Sequence, residues 1–317
     1  MLKIFKLWKR AVFHLKNKWR SLLNEYFIDK KGILEITTVM GCKINCRYCP
    51  QEKLSSRYFK LSQPKTKEMD FELFKSCLDK VPPEVRIDFS GMAEPWLNKK
   101  CTDMVEYAAH KGHPLSVYTT LVGMTKQDFE RIKNFYYVIF VIHLPDQEGN
   151  SKIPITDEWL DLLNTILCAA PPKLKKVLNF SCHGKITAEI TNKVPLLSRF
   201  LIDSSLYDEM MSRAGNLEKR FKPISHKGAI SCGACGRLIN RNELLPDGTV
   251  LLCCMDYGMA HVLGNLSQID YYELFCGEEA RKVLQAFDDE NLPSLCRRCE
   301  WAKKIRSGER ARAEDGK

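Results

Sequence analysis

The chain lacks any apolar stretch long enough to cross a bilayer. Its longest apolar run, Tyr136–Leu144, falls short of the roughly 20 residues that a spanning helix needs and reads instead as a buried strand. Its first 20 residues do not read as a secretory signal, because charges interrupt them and no uncharged core develops. With no sign of export, the 14 cysteines point to a reducing, cytoplasmic setting and to metal work, not to disulfides. No internal repeat or low-complexity tract organises the sequence. Acidic residues are missing from positions 1–20, which carry Lys3, Lys6, Lys9, Arg10, Lys16, Lys18 and Arg20. Positions 302–317 hold six basic and three acidic groups, so the net charge of +10 resides in the two ends and the body between them is neutral. A neutral body argues against a broad nucleic-acid-binding face, which needs clustered positive charge.

What is present begins with that basic end. Phe5, Trp8, Val12, Leu15, Trp19, Leu22 and Tyr26 recur at three- and four-residue steps, the pattern of a basic amphipathic helix over residues 1–29. Such a helix predicts peripheral membrane association through residues 1–27, or docking to an acidic partner. The alternative is a helix packed on its own domain with its lysines in water. A chain of 317 residues with 44% hydrophobic content is long enough for two domains, or for one large domain with an appendage.

The densest signal is Gly41-Cys42-Lys43-Ile44-Asn45-Cys46-Arg47-Tyr48-Cys49-Pro50, a C-x3-C-x2-C loop. Three thiolates on one short loop can hold three corners of a cubane iron–sulfur cluster and leave one iron open. Zinc sites usually pair two CxxC units, or CxxC with histidine. No histidine lies near Cys42, so iron–sulfur is the preferred reading and zinc the alternative. The loop follows a predicted strand, Ile33–Met40. An amphipathic helix is predicted over 70–81 with Asp70 as N-cap. Strands at 85–90, 115–119, 136–143 and 176–181 then alternate with helices at about 98–111, 125–133 and 156–169. That alternation argues for parallel strands with covering helices.

The spacing, with its aromatic Tyr48 before the last thiol, resembles the radical S-adenosylmethionine (SAM) superfamily. The resemblance implies a partial (β/α)6 TIM-like barrel, with a 4Fe-4S cluster on Cys42, Cys46 and Cys49 whose open iron chelates SAM. It also implies reductive cleavage of SAM to a 5′-deoxyadenosyl radical, and an electron donor such as flavodoxin or ferredoxin. The site of a β/α barrel lies at the C-terminal ends of its strands. Gly91-Met92-Ala93-Glu94 resembles the family's Gly-Gly-Glu element, which receives the SAM ammonium, with Met92 and Ala93 standing where glycines are usual. The third strand ends Val117-Tyr118-Thr119-Thr120-Leu121, where many relatives carry Thr-Asn-Gly; the Asn and Gly are missing here, and Thr119 and Thr120 are the candidates for SAM contact. Arg213 is a candidate clamp for the SAM carboxylate or an anionic substrate group; the alternative is a solvated loop arginine.

A second cysteine region runs from Cys232 to Cys299. Pro246-Asp247-Gly248 is a turn between two apolar runs, hence a hairpin. A helix at about 270–287 precedes Cys296-Arg297-Arg298-Cys299. This order resembles the SPASM/Twitch extension of radical SAM enzymes. No cysteine follows Cys299 in the remaining 18 residues, which points to the shorter Twitch-type form with one auxiliary 4Fe-4S cluster. The resemblance implies Cys235, Cys253, Cys296 and Cys299 as its ligands, with Cys232 as a substitute for Cys235 and zinc as the alternative metal. Cys254, beside Cys253, is expected on the opposite side of its strand.

The expected organisation is an N-terminal helix (1–29), a barrel (30–228), an α+β cluster domain (229–302) and a charged tail (303–317). Cys182 is a candidate hydrogen-atom donor and His183 a candidate general base. His143 and Asp146 belong to the same rim, and Cys77, Cys101, Cys168 and Cys276 are expected in the core. A sugar, aminocyclitol or glycan unit is the preferred substrate, by dehydrogenation more than epimerisation. A peptide is the second substrate class, and a zinc-dependent nucleic-acid-binding protein the non-enzymatic alternative.

Overall fold

The computed structural model describes residues 31–61, 66–201, 210–217 and 221–305; the segment 1–29, expected as a basic amphipathic helix, lies outside them, as does nearly all of the charged tail. Strand β1 (Ile33–Ile36) is buried throughout and sits near the middle of an eight-stranded sheet. To one side run β2 (Arg86–Phe89), β3 (Leu115–Thr119), β4 (Tyr137–His143) and β5 (Leu178–Ser181), each parallel to its neighbour. These β-branched and aromatic runs are nearly all buried, as parallel strands covered by helices must be. On the other side β1 pairs in parallel with β7 (Arg241–Leu244). From β7 the sheet continues antiparallel through β8 (Thr249–Leu251) and β9 (Val262–Asn265). Five parallel strands thus come from the barrel sequence, and a sixth is supplied from the far end of the chain. A small separate ladder joins β6 (Ile230–Cys232) to β10 (Ala302–Lys304).

The helices form where periodicity and caps agree. Helix α2 (Phe71–Leu78) starts at Asp70, whose side chain accepts from the amides of Glu72 and Leu73. Helix α3 (Cys101–His110) follows β2, and α4 (Lys126–Ile132) begins with a Thr125–Asp128 capping box. Helix α5 (Asp157–Ala169) buries Trp159, Leu163 and Ile166. Their apolar faces cover the sheet and join it in one core.

Four elements depart from expectation. Helix α1 (Gln51–Leu61) begins directly after Pro50 and was not predicted. Pro172 at a helix N-terminus opens a short α6 (Pro172–Val177) ahead of β5. A further short helix, α7 (Ala188–Lys193), follows β5. The predicted helix at 270–287 is a 3₁₀ turn at Tyr271–Phe275 and then α8 (Glu278–Asp288), interrupted around Gly277. Cys77 and Cys101 are buried as expected, but Cys168 and Cys276 are exposed: Cys168 lies off the apolar stripe of α5, and Cys276 sits in the break before α8.

The inner face of the sheet is charged. In register, Asp88, Glu35 and Glu243 stand side by side across β2, β1 and β7. Two residues back, Arg86 and Arg241 flank Ile33. Arg86 grips Asp88 through two bonds of 2.7 Å, both side chains fully buried. Arg241 donates to Glu35 at 2.8 Å, and Thr37 donates to Glu243 at 2.6 Å. Removing one partner of a buried pair strands the other charge. Asp88→Ala should therefore cost about 3–5 kcal/mol, read as a lower denaturant midpoint, whereas the double variant Arg86→Met/Asp88→Leu should recover most of the loss.

Candidate active site and cluster ligands

A cavity of about 240 Å³ opens at the C-terminal ends of the parallel strands. Each strand delivers residues to it: the loop after β1 brings Cys42, Cys46, Tyr48 and Cys49; that after β2 brings Gly91, Met92, Ala93 and Glu94; Thr120 follows β3, β4 ends in His143, and His183 follows β5. The three thiols are half-buried and face one space. Gly91 is required where it stands: its φ is +49°, and a Cβ there would lie 2.5 Å from the Ile36 carbonyl. Its amide neighbour Met92 donates to Thr37 at 2.8 Å.

Gln51, which sequence reasoning passed over, ties the cysteine loop to this second loop. Its side-chain oxygen accepts from the Cys42 amide at 3.2 Å. Its nitrogen donates to Cys49 Sγ at 3.0 Å and to the Met92 carbonyl. Tyr257, also unexpected, brings its hydroxyl to 3.3 Å from Cys49 Sγ. Burial pushes the Cys42 thiol up to about 11 and raises Cys46 as well. Thiolates here therefore need a cationic partner, and donors already point at Cys49 sulfur. Both observations fit a cluster held by Cys42, Cys46 and Cys49.

Glu94 is 4% exposed, and its two oxygens accept four bonds. Thr119 Oγ1 and the Trp96 amide reach one, at 2.8 and 3.2 Å. The amide and hydroxyl of Thr120 reach the other, both at 2.6 Å. The carboxylate thereby joins the ends of β2 and β3, and burial raises its pKa despite these donors. Thr119 is fully buried behind it, while Thr120 lines the cavity.

Arg213 also faces the cavity. Its backbone takes a left-handed φ of +53°, followed by +52° at Ala214, a strained pair for residues with a Cβ. Glu300 holds the turn by accepting from the amides of Ser212 and Ala214, and Asn216 bonds the Arg213 carbonyl at 2.7 Å. The guanidinium donates to the Tyr48 carbonyl at 3.5 Å. Burial opposes its charge, but Tyr257 and Cys49 more than offset that. Arg213 is thus a built feature of the wall and not a solvated loop residue.

His183 packs on Tyr48 with ring centroids 3.8 Å apart and is 7% exposed. Asp146 accepts from the amides of Asn150 and Ser151 and so shapes the loop behind Tyr48. Cys182 does not reach the cavity. It is 1% exposed, and its thiol turns to the Pro145 carbonyl, 4.0 Å away. Outside the C-x3-C-x2-C loop, the cavity-lining thiol among the described residues is Cys254; it and Cys253 lie in the turn beyond β8 and not on the expected strand, because β8 ends at Leu251.

In the extension, the β7–β8 turn closes at Pro246–Gly248 as predicted, with Leu245 and Gly248 bonding across it. Cys235, Cys253, Cys296 and Cys299 gather with Cys232, close enough that each thiol acts electrostatically on others of the group. Burial lifts Cys296 to about 12 and Cys299 to about 11. Cys232 goes the other way, to about 6, because the Cys235 thiol and the amide of Ala234 donate to it against the effect of burial. Among the described residues no three such side chains close around a point as a single metal ion requires. The Trp301 amide donates to Cys299 Sγ at 3.4 Å, and the Trp301 ring lines the cavity, so the thiol group abuts the cavity wall.

Residues 235–300 match the SPASM family model, an iron–sulfur cluster-binding domain; the match starts at Cys235 and ends just past Cys299. No curated protein sequence matches the chain. Among solved structures, BtrN in complex with AdoMet and 2-DOIA is similar at 16% identity and a TM-score of 0.55, covering 83% of this chain and 89% of that one. An open conformation of BtrN matches at 16% identity and TM-score 0.51, over 85% of this chain and 92% of that one. SuiB from Streptococcus suis, bound to precursor peptide SuiA, aligns at 13% identity and TM-score 0.49, over 86% and 68%. The chain has a radical SAM fold with a SPASM-type extension. Among the described residues of this fold no helix is long and apolar enough to cross a membrane.

Because every lone pair of Glu94 is used, Glu94→Gln turns an amide NH₂ toward donors. That change should cost about 1–3 kcal/mol through unmade buried bonds, seen as a thermal midpoint below that of the unsubstituted protein.

Proposed function

We propose that the chain is a radical SAM enzyme acting on a carbon–hydrogen bond of a small hydroxylated substrate, a sugar, aminocyclitol or glycan unit. One observation carries the reading: a single cavity is walled by Cys42, Cys46 and Cys49 on one side and by Cys254 and Trp301, neighbours of the second cysteine group, on the other. When bound, SAM and its 4Fe-4S cluster supply a 5′-deoxyadenosyl radical, and an auxiliary 4Fe-4S cluster supplies an electron acceptor. Cys42, Cys46 and Cys49 would hold the first cluster, and Cys235, Cys253, Cys296 and Cys299 the second. A flavodoxin- or ferredoxin-type protein is the fitting electron donor.

The chain's own residues would orient the reactants. Arg213 offers a fixed guanidinium to the SAM carboxylate. Glu94 places negative charge behind the loop 91–93, where the SAM ammonium would lie. Tyr48 and His183 form a stacked wall beside the cysteine loop. The neutral body favours an uncharged polar substrate over a nucleic acid, and peptide modification is the competing substrate class.

Two outcomes are open to a substrate radical. Loss of a second electron together with the hydroxyl proton gives dehydrogenation, favoured by the auxiliary thiols abutting the cavity. Return of a hydrogen atom gives epimerisation, and Cys254, not Cys182, is placed to supply it.

Replacing Cys42, Cys46 and Cys49 together by Ala should abolish 5′-deoxyadenosine formation under anaerobic reducing conditions while iron remains in the extension; undiminished SAM cleavage would overturn the reading. In deuterated solvent, a dehydrogenase yields product without deuterium on the oxidised carbon and tolerates Cys254→Ala. Deuterium on a carbon of the product, with turnover lost in Cys254→Ala, would establish epimerisation instead.

A further inference from the structure

We infer that Glu35, Arg241 and Trp301 form the seat for the substrate ring, and that the ring is polyhydroxylated and carries no net charge at the carbons that meet them. The inference rests on the radical SAM reading and deepens it by naming the subsite.

All three residues line the cavity. Arg241 Nε donates to Glu35 Oε1 at 2.8 Å, and Ser90 Oγ donates to Glu35 Oε2 at 2.9 Å. The guanidinium lies over the Trp301 ring, 5.2 Å from its centroid. The indole and the carboxylate thus fix the guanidinium plane. Of its five donors, the one on Nε is spent on Glu35, and its terminal amino groups have no hydrogen-bond partner among the described residues. The side chain of Glu35 is only 5% exposed and that of Arg241 16%, so what remains accessible of either faces the cavity.

The chemistry of this group selects a ligand class. The pair is neutral as a unit, so it neither demands an anion nor repels one. A hydroxyl both donates and accepts, and adjacent hydroxyls can span a guanidinium and a carboxylate. Trp301 adds an apolar wall against which the C–H face of a ring packs. Ser90, Tyr118 and His143, which line the same floor, extend the set with more groups suited to hydroxyls. A peptide presents a different demand, main-chain pairing along an open strand edge, and β1, whose Glu35 forms this floor, is paired on both sides.

The test uses anaerobically reconstituted full-length protein and saturation-transfer NMR with millimolar N-acetylglucosamine, myo-inositol and a capped tripeptide. At least one of the two rings should give signals on the wild type. In Arg241→Lys, which keeps a cation beside Glu35 but loses the fork, and in Trp301→Leu, the ring signal should fall about tenfold, as when a charge-assisted bond or an aromatic contact is lost. Iron content and thermal midpoint report whether each variant is folded, and Trp301→Phe replaces Trp301→Leu if that protein is insoluble. Absence of signal for both rings, equal signals in the variants, or a tripeptide signal that the substitutions remove would overturn the subsite. SAM cleavage measured on the same wild-type sample separates the two readings: cleavage without ring binding sinks the subsite alone, and ring binding without cleavage sinks the radical SAM assignment.

Discussion

The pairing of β1 with β7 is the constraint on which the rest depends. It brings together residues about 200 positions apart and buries Glu35 and Arg241 between them. A guanidinium and a carboxylate removed from water are tolerated only as partners. Arg241 also sets the charge state of Glu35: burial alone would raise its pKa, but the guanidinium more than offsets that. Next to it, Glu243 has no such cation of its own and is pushed well up by burial and by Glu35. Burial thus favours the neutral form of Glu243, whereas Arg241 favours the charged form of Glu35. The extension is seated on the barrel by this balance, and the cavity's far wall follows from that seating.

From the seat outward, single residues couple loops that are distant in sequence. Gln51 holds the cysteine loop against the loop after β2. Glu300, from the C-terminal cysteine region, holds the strained turn that aims Arg213. Glu94 fastens β2 to β3. Gln51 and Glu94 are buried and Glu300 half-buried; each has its bonding capacity largely filled, which stiffens the wall because any displacement exposes an unmade bond. Such stiffness suits chemistry in which the protein positions and shields while the cofactor reacts.

Much of the architecture was legible because it is written locally. The cap at Asp70, the β-branched strands and the Pro-Asp-Gly turn act over a few residues, and most appear near their expected bounds. Helix α1 was not legible, since its sequence Gln51–Leu61 is polar on average and its apolar anchors Leu54 and Tyr58 are sparse. The interruption near Gly277 was masked by apolar spacing that continues on both sides of it. The predicted strand to Met40 ends early because Thr38–Met40 changes partners, from β7 to the segment around Glu68. Cys182 was a reasonable guess from its place after β5. Which way a side chain turns at the end of a strand depends on the loop that follows, and there Pro145 takes the thiol.

What the sequence by itself determined is the chemistry available: three thiols on one loop, a second thiol set around a hairpin, and alternating strands and helices to carry them. Those features depend on residue type and short spacing, which local physics reads. Only the tertiary structure decided which polar groups share the cavity. Glu35, Arg241, Gln51, Tyr257 and Cys254 are unremarkable in the linear order. They become a site because a parallel strand from the end of the chain docks beside its first strand, and burying their charges together costs less than burying any of them alone.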